Sequence, residues 1–209
     1  MKYSFFLVPA ILFITTTQAQ VNPPSVKIGN QIWMKRNLDV TTYRNGDPIP
    51  EVKNKNEWTN LTTGAWCYYD NKPANGKTYG KLYNWYAVND PRGLAPTGWH
   101  IPSDTEWTTL SNGLGGDEVA GGKMKETGTT HWTTPNTRAT NSSGFTALPG
   151  GLRFYKGSFF NVGNSGFWWN STESHTATVW IRYLSSSYGY IYRSLNYKQS
   201  GFSVRCLRD

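Results

Sequence analysis

The most regular alternation of hydrophobic and polar positions begins after Pro102. Ser103 and Glu106 have the spacing of a capping box, in which the serine oxygen takes the third helical amide and the glutamate reaches back to the cap. Trp107, Leu110 and Leu114 then share one helical face, and Gly115-Gly116 ends the run. A second helical face is read over residues 79–87, where Tyr79, Leu82, Tyr83, Tyr86 and Ala87 fall at i, i+3, i+4, i+7 and i+8. Residues 26–34 instead alternate on both sides of Gly29-Asn30, which predicts a β-hairpin. Strand character returns late in the chain. Residues 167–170, 178–184, 188–193 and 202–207 are short, aromatic or β-branched and separated by Ser, Gly and Asn, which predicts an antiparallel meander. Between them and the helices, residues 133–166 carry Asn, Ser, Gly and Pro around isolated aromatics, the composition of long loops.

The start of the chain has a different pattern. Lys2 followed by an apolar run over 5–14 and the small-residue site Thr17-Gln18-Ala19 reads as a signal peptide over residues 1–19. The run is shorter than the roughly 20 residues needed to cross a bilayer, and no cysteine follows it to carry a lipid anchor. The expectation is therefore export, to the periplasm, the cell surface or beyond. Residues 20–25 form a short linker, and 26–209 form one domain without a transmembrane segment.

Composition narrows the function classes. The chain holds 21 Lys and Arg against 13 Asp and Glu, yet the basic residues are dispersed. No basic stripe or reading motif for nucleic acid is present, so nucleic acid is not an expected partner. Two cysteines in an exported chain favour a disulfide between Cys67 and Cys206 over buried free thiols, and neither lies in a nucleophile signature. His100, His131 and His175 lack metal-ligand spacing, and no cofactor is expected. The Gly116 to Lys123 stretch has an extra glycine before the lysine and Met124 where a phosphate loop needs Ser or Thr. Glu173 could serve as a glycosidase carboxylate only with a second carboxylate nearby, and the sequence nominates none.

Aromatic residues are the compositional anomaly, with 10 Trp and 13 Tyr. Trp33, Trp85, Trp99, Trp107 and Trp180 sit in patterned segments and read as core. Tyr188, Tyr190 and Tyr192 alternate with Gly189, Ile191 and Arg193, so in a strand all three would project from one side. With Ile191 turned inward they would form an exposed ladder suited to stacking on sugar rings. Cross-strand packing that stiffens the sheet is the alternative.

Taken in order, Gly29-Asn30-Gln31 with Trp33, Asn37-Leu38, residues 79–87, Gly98-Trp99-His100, Glu106-Trp107, Ser143-Gly144-Phe145, Leu148-Pro149-Gly150-Gly151-Leu152-Arg153, Trp168-Trp169 and the terminal Arg205-Cys206 strongly resemble the Fibrobacter succinogenes major paralogous domain, found in exported proteins of Fibrobacter and Bacteroidetes-type bacteria. The resemblance implies an α+β, C-type-lectin-like mixed fold with short antiparallel sheets, two main helices and long loops, distantly similar to formylglycine-generating enzymes. The copper-binding cysteine pair of those enzymes is not carried over. The calcium loop of the lectins is also missing, because Trp169-Asn170 is followed by Ser171. The resulting expectation is a non-catalytic envelope module that binds a polysaccharide or cell-surface glycan, with Tyr188, Tyr190 and Tyr192 as the contact residues. An envelope hydrolase or oxidase and a purely structural or adhesion protein are the rivals, and the sequence sets no oligomeric state.

Overall fold

The computed structural model describes residues 23–209, so the expected signal peptide and most of the linker lie outside the described residues. The fold is mixed α/β with several sheets. The expected hairpin is present as β1 (Ser25–Ile28) and β2 (Gln31–Met34), with Ile28 opposite Gln31 across the turn. Next to β2 lies β11 (Leu207–Arg208), which also pairs with β5 (Trp99–His100), so this sheet closes the two ends of the domain on each other. A two-stranded sheet joins β3 (Trp66–Cys67) to β4 (Leu82–Tyr83).

The largest sheet has the order β10-β9-β8-β6-β7. Its elements are β6 (Gly150–Arg153), β7 (Phe159–Val162), β8 (Ser165–Glu173), β9 (Thr178–Ser185) and β10 (Ile191–Tyr197). The expected meander is β8, β9 and β10, all antiparallel. Two of its predicted members differ from expectation. Tyr188 and Tyr190 precede β10 and lie in the connecting turn, while 202–207 makes only isolated bridges before β11. Residues 133–166 are mostly loop as expected, except for the hairpin of β6 and β7, which its glycines conceal.

The capped helix is α4 (Asp104–Gly113). The Ser103 hydroxyl accepts from the Glu106 amide at 3.2 Å and the Glu106 carboxylate accepts from the Ser103 amide at 2.7 Å. Its apolar face, Trp107, Leu110 and Leu114, is buried with Trp33, Phe145, Trp132 and Trp168. The remaining helices are α1 (Lys55–Thr59), α2 (Pro73–Tyr79), α3 (Trp85–Val88) and α5 (Asp117–Met124).

The single helix expected over 79–87 is not formed. At Gly80 φ is +75° and a Cβ would come within 2.8 Å of the Leu38 carbonyl, so the chain breaks there. Leu82 and Tyr83 then pair as a strand, and Asn84 caps α3 through the Ala87 amide at 3.0 Å. Leu82, Tyr83 and Ala87 are buried and Tyr79 and Tyr86 half-buried, but the five are divided among the end of α2, a strand and a separate turn of helix.

The expected disulfide is not formed either. Cys67 packs with Val52, Trp58 and Leu82, whereas Cys206 packs with Met34, Leu38 and Val204. Each thiol is buried in its own cluster, and burial pushes both up to about 12, which leaves them protonated and unreactive at neutral pH. Trp33, Trp85, Trp99 and Trp107 are core, but Trp180 is half-buried with the Arg193 guanidinium 3.3 Å above its ring centre.

Ser103→Ala should lower unfolding stability by about 1 kcal/mol, the usual cost of a lost N-cap. Chemical denaturation measures this, and an unchanged midpoint would mean that the cap does not stabilise α4.

Candidate functional site

Three side-chain clusters stand out on the described part of the molecule. The first is the tyrosine group. Tyr192, in β10, stands directly opposite Tyr183 in β9, which stands opposite Phe167 in β8. Their rings stack in turn, Tyr192 on Tyr183 at 4.6 Å and Tyr183 on Phe167 at 5.5 Å, and Phe167 continues onto Phe202 at 5.5 Å. Tyr192 is therefore the outer end of a cross-strand aromatic ladder rooted in the core. Tyr188 and Tyr190 stand beyond it, 53 % and 40 % exposed, with their rings nearly parallel at 6.0 Å. Each meets the Tyr192 ring edge-on, at 6.1 and 5.8 Å.

The three expected tyrosines do come together, by a different route from the one expected. Two sit on a turn and one on a strand, so the cluster depends on how residues 185–190 are held. Lys125 is wholly buried beneath them and donates to the carbonyls of Thr137, Ser185 and Tyr188 at 2.8 to 2.9 Å. Burial without a carboxylate pulls its pKa down to about 8. Helix α5 presents Gly121 to the same turn, where a Cβ would come within 2.1 Å of the Tyr190 carbonyl oxygen, and the Gly122 amide donates to Gly189 at 2.8 Å. The Tyr190 contact makes Gly121 necessary, and a Cβ at Gly122 would come within 2.4 Å of the Arg138 carbonyl oxygen, so α5 carries two poor helix formers and was not legible as a helix.

A second aromatic group was missed. Tyr155 packs on Tyr197 at 4.5 Å and on Phe154 at 4.3 Å, and Phe160 meets Phe154 edge-on at 6.1 Å. Phe160 and Tyr197 are exposed. These residues come from the β6–β7 hairpin and the far end of β10, and no local pattern joins them.

The third group is His100, whose two ring nitrogens lie 2.7 Å from Asp209 and 3.0 Å from Glu106. Burial opposes the charge on His100, but the bonds to Asp209 and Glu106 outweigh it and raise the pKa above the ordinary 6.5. With both nitrogens held by carboxylates, the ring clasps the C-terminal strand to α4 and has no nitrogen free to act as a base. Glu173, the other carboxylate considered, pairs with Lys198, and His175 is exposed in the β8–β9 turn. Among the described residues no group of His, Cys, Asp and Glu could hold a metal ion. No described helix is long and apolar enough to cross a membrane.

The sequence model of the Fibrobacter succinogenes major domain matches residues 26–208. The chain belongs to that family. No curated protein and no solved structure matches it. The matched span of the major domain runs from β1 to β11, so the tyrosine group, the Lys125 support and the His100 clasp all fall inside it.

Two outcomes follow from this geometry. Lys125→Met would take the lysine donor from three carbonyls and should lower stability by ~2 kcal/mol. Hydrogen exchange should quicken over 185–190 first, and unchanged protection there would show that Lys125 does not hold the turn. For His100 the folded-state pKa is raised, so the clasp stabilises fully below 6.5, the unfolded-chain value, and is lost as pH rises through the folded value. The unfolding midpoint should fall as the pH is taken upward from 6.5, and His100→Gln should remove that part of the slope. Parallel pH profiles for the two proteins would rule the clasp out.

Proposed function

We propose that this major domain is a non-catalytic module of the bacterial envelope that binds polysaccharide or cell-surface glycan through Tyr188 and Tyr190, with Tyr192 as their support. The observation that carries the reading is the pair of exposed, nearly parallel tyrosine rings on a turn fixed from beneath by Lys125 and Gly121. Aromatic faces stack on the C–H faces of sugar rings, and a fixed platform loses little freedom on binding. Ser187 is exposed beside the rings, and Ser194 follows Tyr192 on the same side of β10, so hydroxyl groups lie near the stacking surface.

Export, inferred from the apolar segment over 1–19, would place the domain where such glycans occur. We also read the fold as a distant C-type-lectin variant. The capped helix carrying Glu106-Trp107 and the terminal segment carrying Arg205-Cys206 support that reading. The ligand assignment does not depend on it, because the calcium loop of those lectins is missing from this sequence.

The test is a polysaccharide array followed by titration of the selected glycan. Tyr188→Ala combined with Tyr190→Ala should weaken binding by about 10- to 30-fold, from about 1 kcal/mol for each stacking contact, without shifting the unfolding midpoint. Tyr192→Ala should instead cost stability, because its ring is stacked on Tyr183. Unaltered binding by the folded double variant would refute the assignment of the site.

A further inference from the structure

On another part of the surface lies a cavity of about 450 Å³ lined by Lys35, Arg36, Lys77, His131 and Arg205 among others, with no carboxylate in its wall. Lys35, Arg36 and Lys77 are exposed and form no ion pair among the described residues. His131 is the one basic wall residue with an acidic partner, Glu126 at 2.8 Å.

The floor is the unusual part. Arg205 is 1 % exposed, and its donors go to neutral oxygens only: Asn37 Oδ1 at 2.8 and 3.0 Å, the Phe145 carbonyl at 2.7 Å and the Met34 carbonyl at 3.2 Å. Buried charge is ordinarily matched by opposite charge. Here burial pulls the pKa down to about 9 and no carboxylate restores it, so the guanidinium stays charged at neutral pH without a counter-ion. A cleft walled by one sign of charge over a low-dielectric floor concentrates its field on whatever enters.

We propose that this pocket binds a doubly charged tetrahedral oxyanion: free phosphate or sulfate, or a phosphate monoester. A single carboxylate would answer only one of the four permanent cations, whereas a dianion presents several acceptor oxygens to Lys and Arg donors at once. The cavity is larger than such an ion. A neighbouring cavity of about 310 Å³ shares Pro24, Arg36 and Asn37 with it and continues along Met34, Leu38, Val40, Pro96 and Trp99; its one carboxylate, Asp39, is paired with Lys81, so an ester can place an apolar group there. None of these residues belongs to the tyrosine face, and the inference does not rest on glycan binding.

Calorimetric titration of the protein with sodium phosphate, sodium sulfate, glucose 6-phosphate and phenyl phosphate, at constant ionic strength in chloride, tests this. Saturable binding of at least one of these anions is expected. Lys35→Ala combined with Lys77→Ala should weaken it at least tenfold, because both side chains are exposed pocket walls whose loss leaves the core intact. Lys27→Ala combined with Lys156→Ala removes the same charge elsewhere and should leave binding unchanged. Phenyl phosphate binding more tightly than inorganic phosphate assigns an ester that uses the apolar cavity, and equal affinities assign the free ion. The absence of saturable binding by all four anions, or equal loss in both double variants, overturns the proposal.

Discussion

The contact between Arg205 and Asn37 is the constraint on which the rest of the structure depends. Asn37 Oδ1 accepts from Arg205 twice and from the Trp168 indole at 2.9 Å, while its Nδ2 donates to the Tyr79 carbonyl at 2.8 Å and to Ser203 Oγ at 3.2 Å. One amide thus joins the loop after β2, the end of α2, strand β8 and the C-terminal segment. That segment is itself threaded through every sheet. Gly201 bridges to Arg153, Phe202 to Tyr83 and Ser203 to Trp168, and the Val204 and Cys206 carbonyls accept from Leu38 and Met34 before β11 begins. Loss of the asparagine oxygen would remove two of the four hydrogen bonds to a buried cation, each typically worth about 1.5 to 3 kcal/mol.

The same device recurs wherever regular structure runs out. Strands of two to four residues satisfy few backbone groups, so the buried carbonyls of the loops need donors from elsewhere. Arg153, fully buried, reaches Val52, Lys53 and Asn54 at 2.6 to 3.2 Å, and Lys125 reaches three carbonyls of its own. Tryptophan serves the same purpose with more apolar surface. The indoles of Trp58, Trp66, Trp85, Trp132 and Trp169 donate to the carbonyls of Gln199, Ile49, Asn170, Ala147 and Tyr83. This accounts for much of the aromatic excess: an indole fills the core and closes a loop with one side chain. The buried Nε1 of Trp107, in contrast, has no partner among the described residues.

What the sequence revealed divides along the same line. The β1–β2 hairpin and α4 were legible because their signals are local, a turn pair and a capping box within a few residues. The strands β8 and β9 were legible because their aromatic and β-branched runs are uninterrupted. Segment 79–87 misled because positions buried in two different clusters, Leu82 in one and Tyr83 and Ala87 in the other, happened to fall at helical spacing. Helix α5 and the β6–β7 hairpin were hidden by glycines whose presence answers to close contacts from distant parts of the chain. The tyrosine group was found by its alternation, although Tyr188 and Tyr190 are not in a strand. The second aromatic group and the cationic pocket combine residues far apart in the chain, Lys35 with Arg205 among them, and no periodicity could have joined them.

The placement of Lys125 also bears on why the tyrosines are exposed at all. An exposed tyrosine on an unsupported turn would collapse onto the nearest apolar surface, since burying a ring is favourable. Here the turn cannot follow such a collapse, because the Ser185 and Tyr188 carbonyls are held from below and Gly121 packs against the Tyr190 carbonyl. Tyr192 cannot make room either, being stacked on Tyr183. The rings are therefore kept at the surface by the buried structure beneath them. A platform fixed in this way has already met its ordering cost during folding, so little of the free energy of a stacking contact is spent on immobilising the side chains that make it.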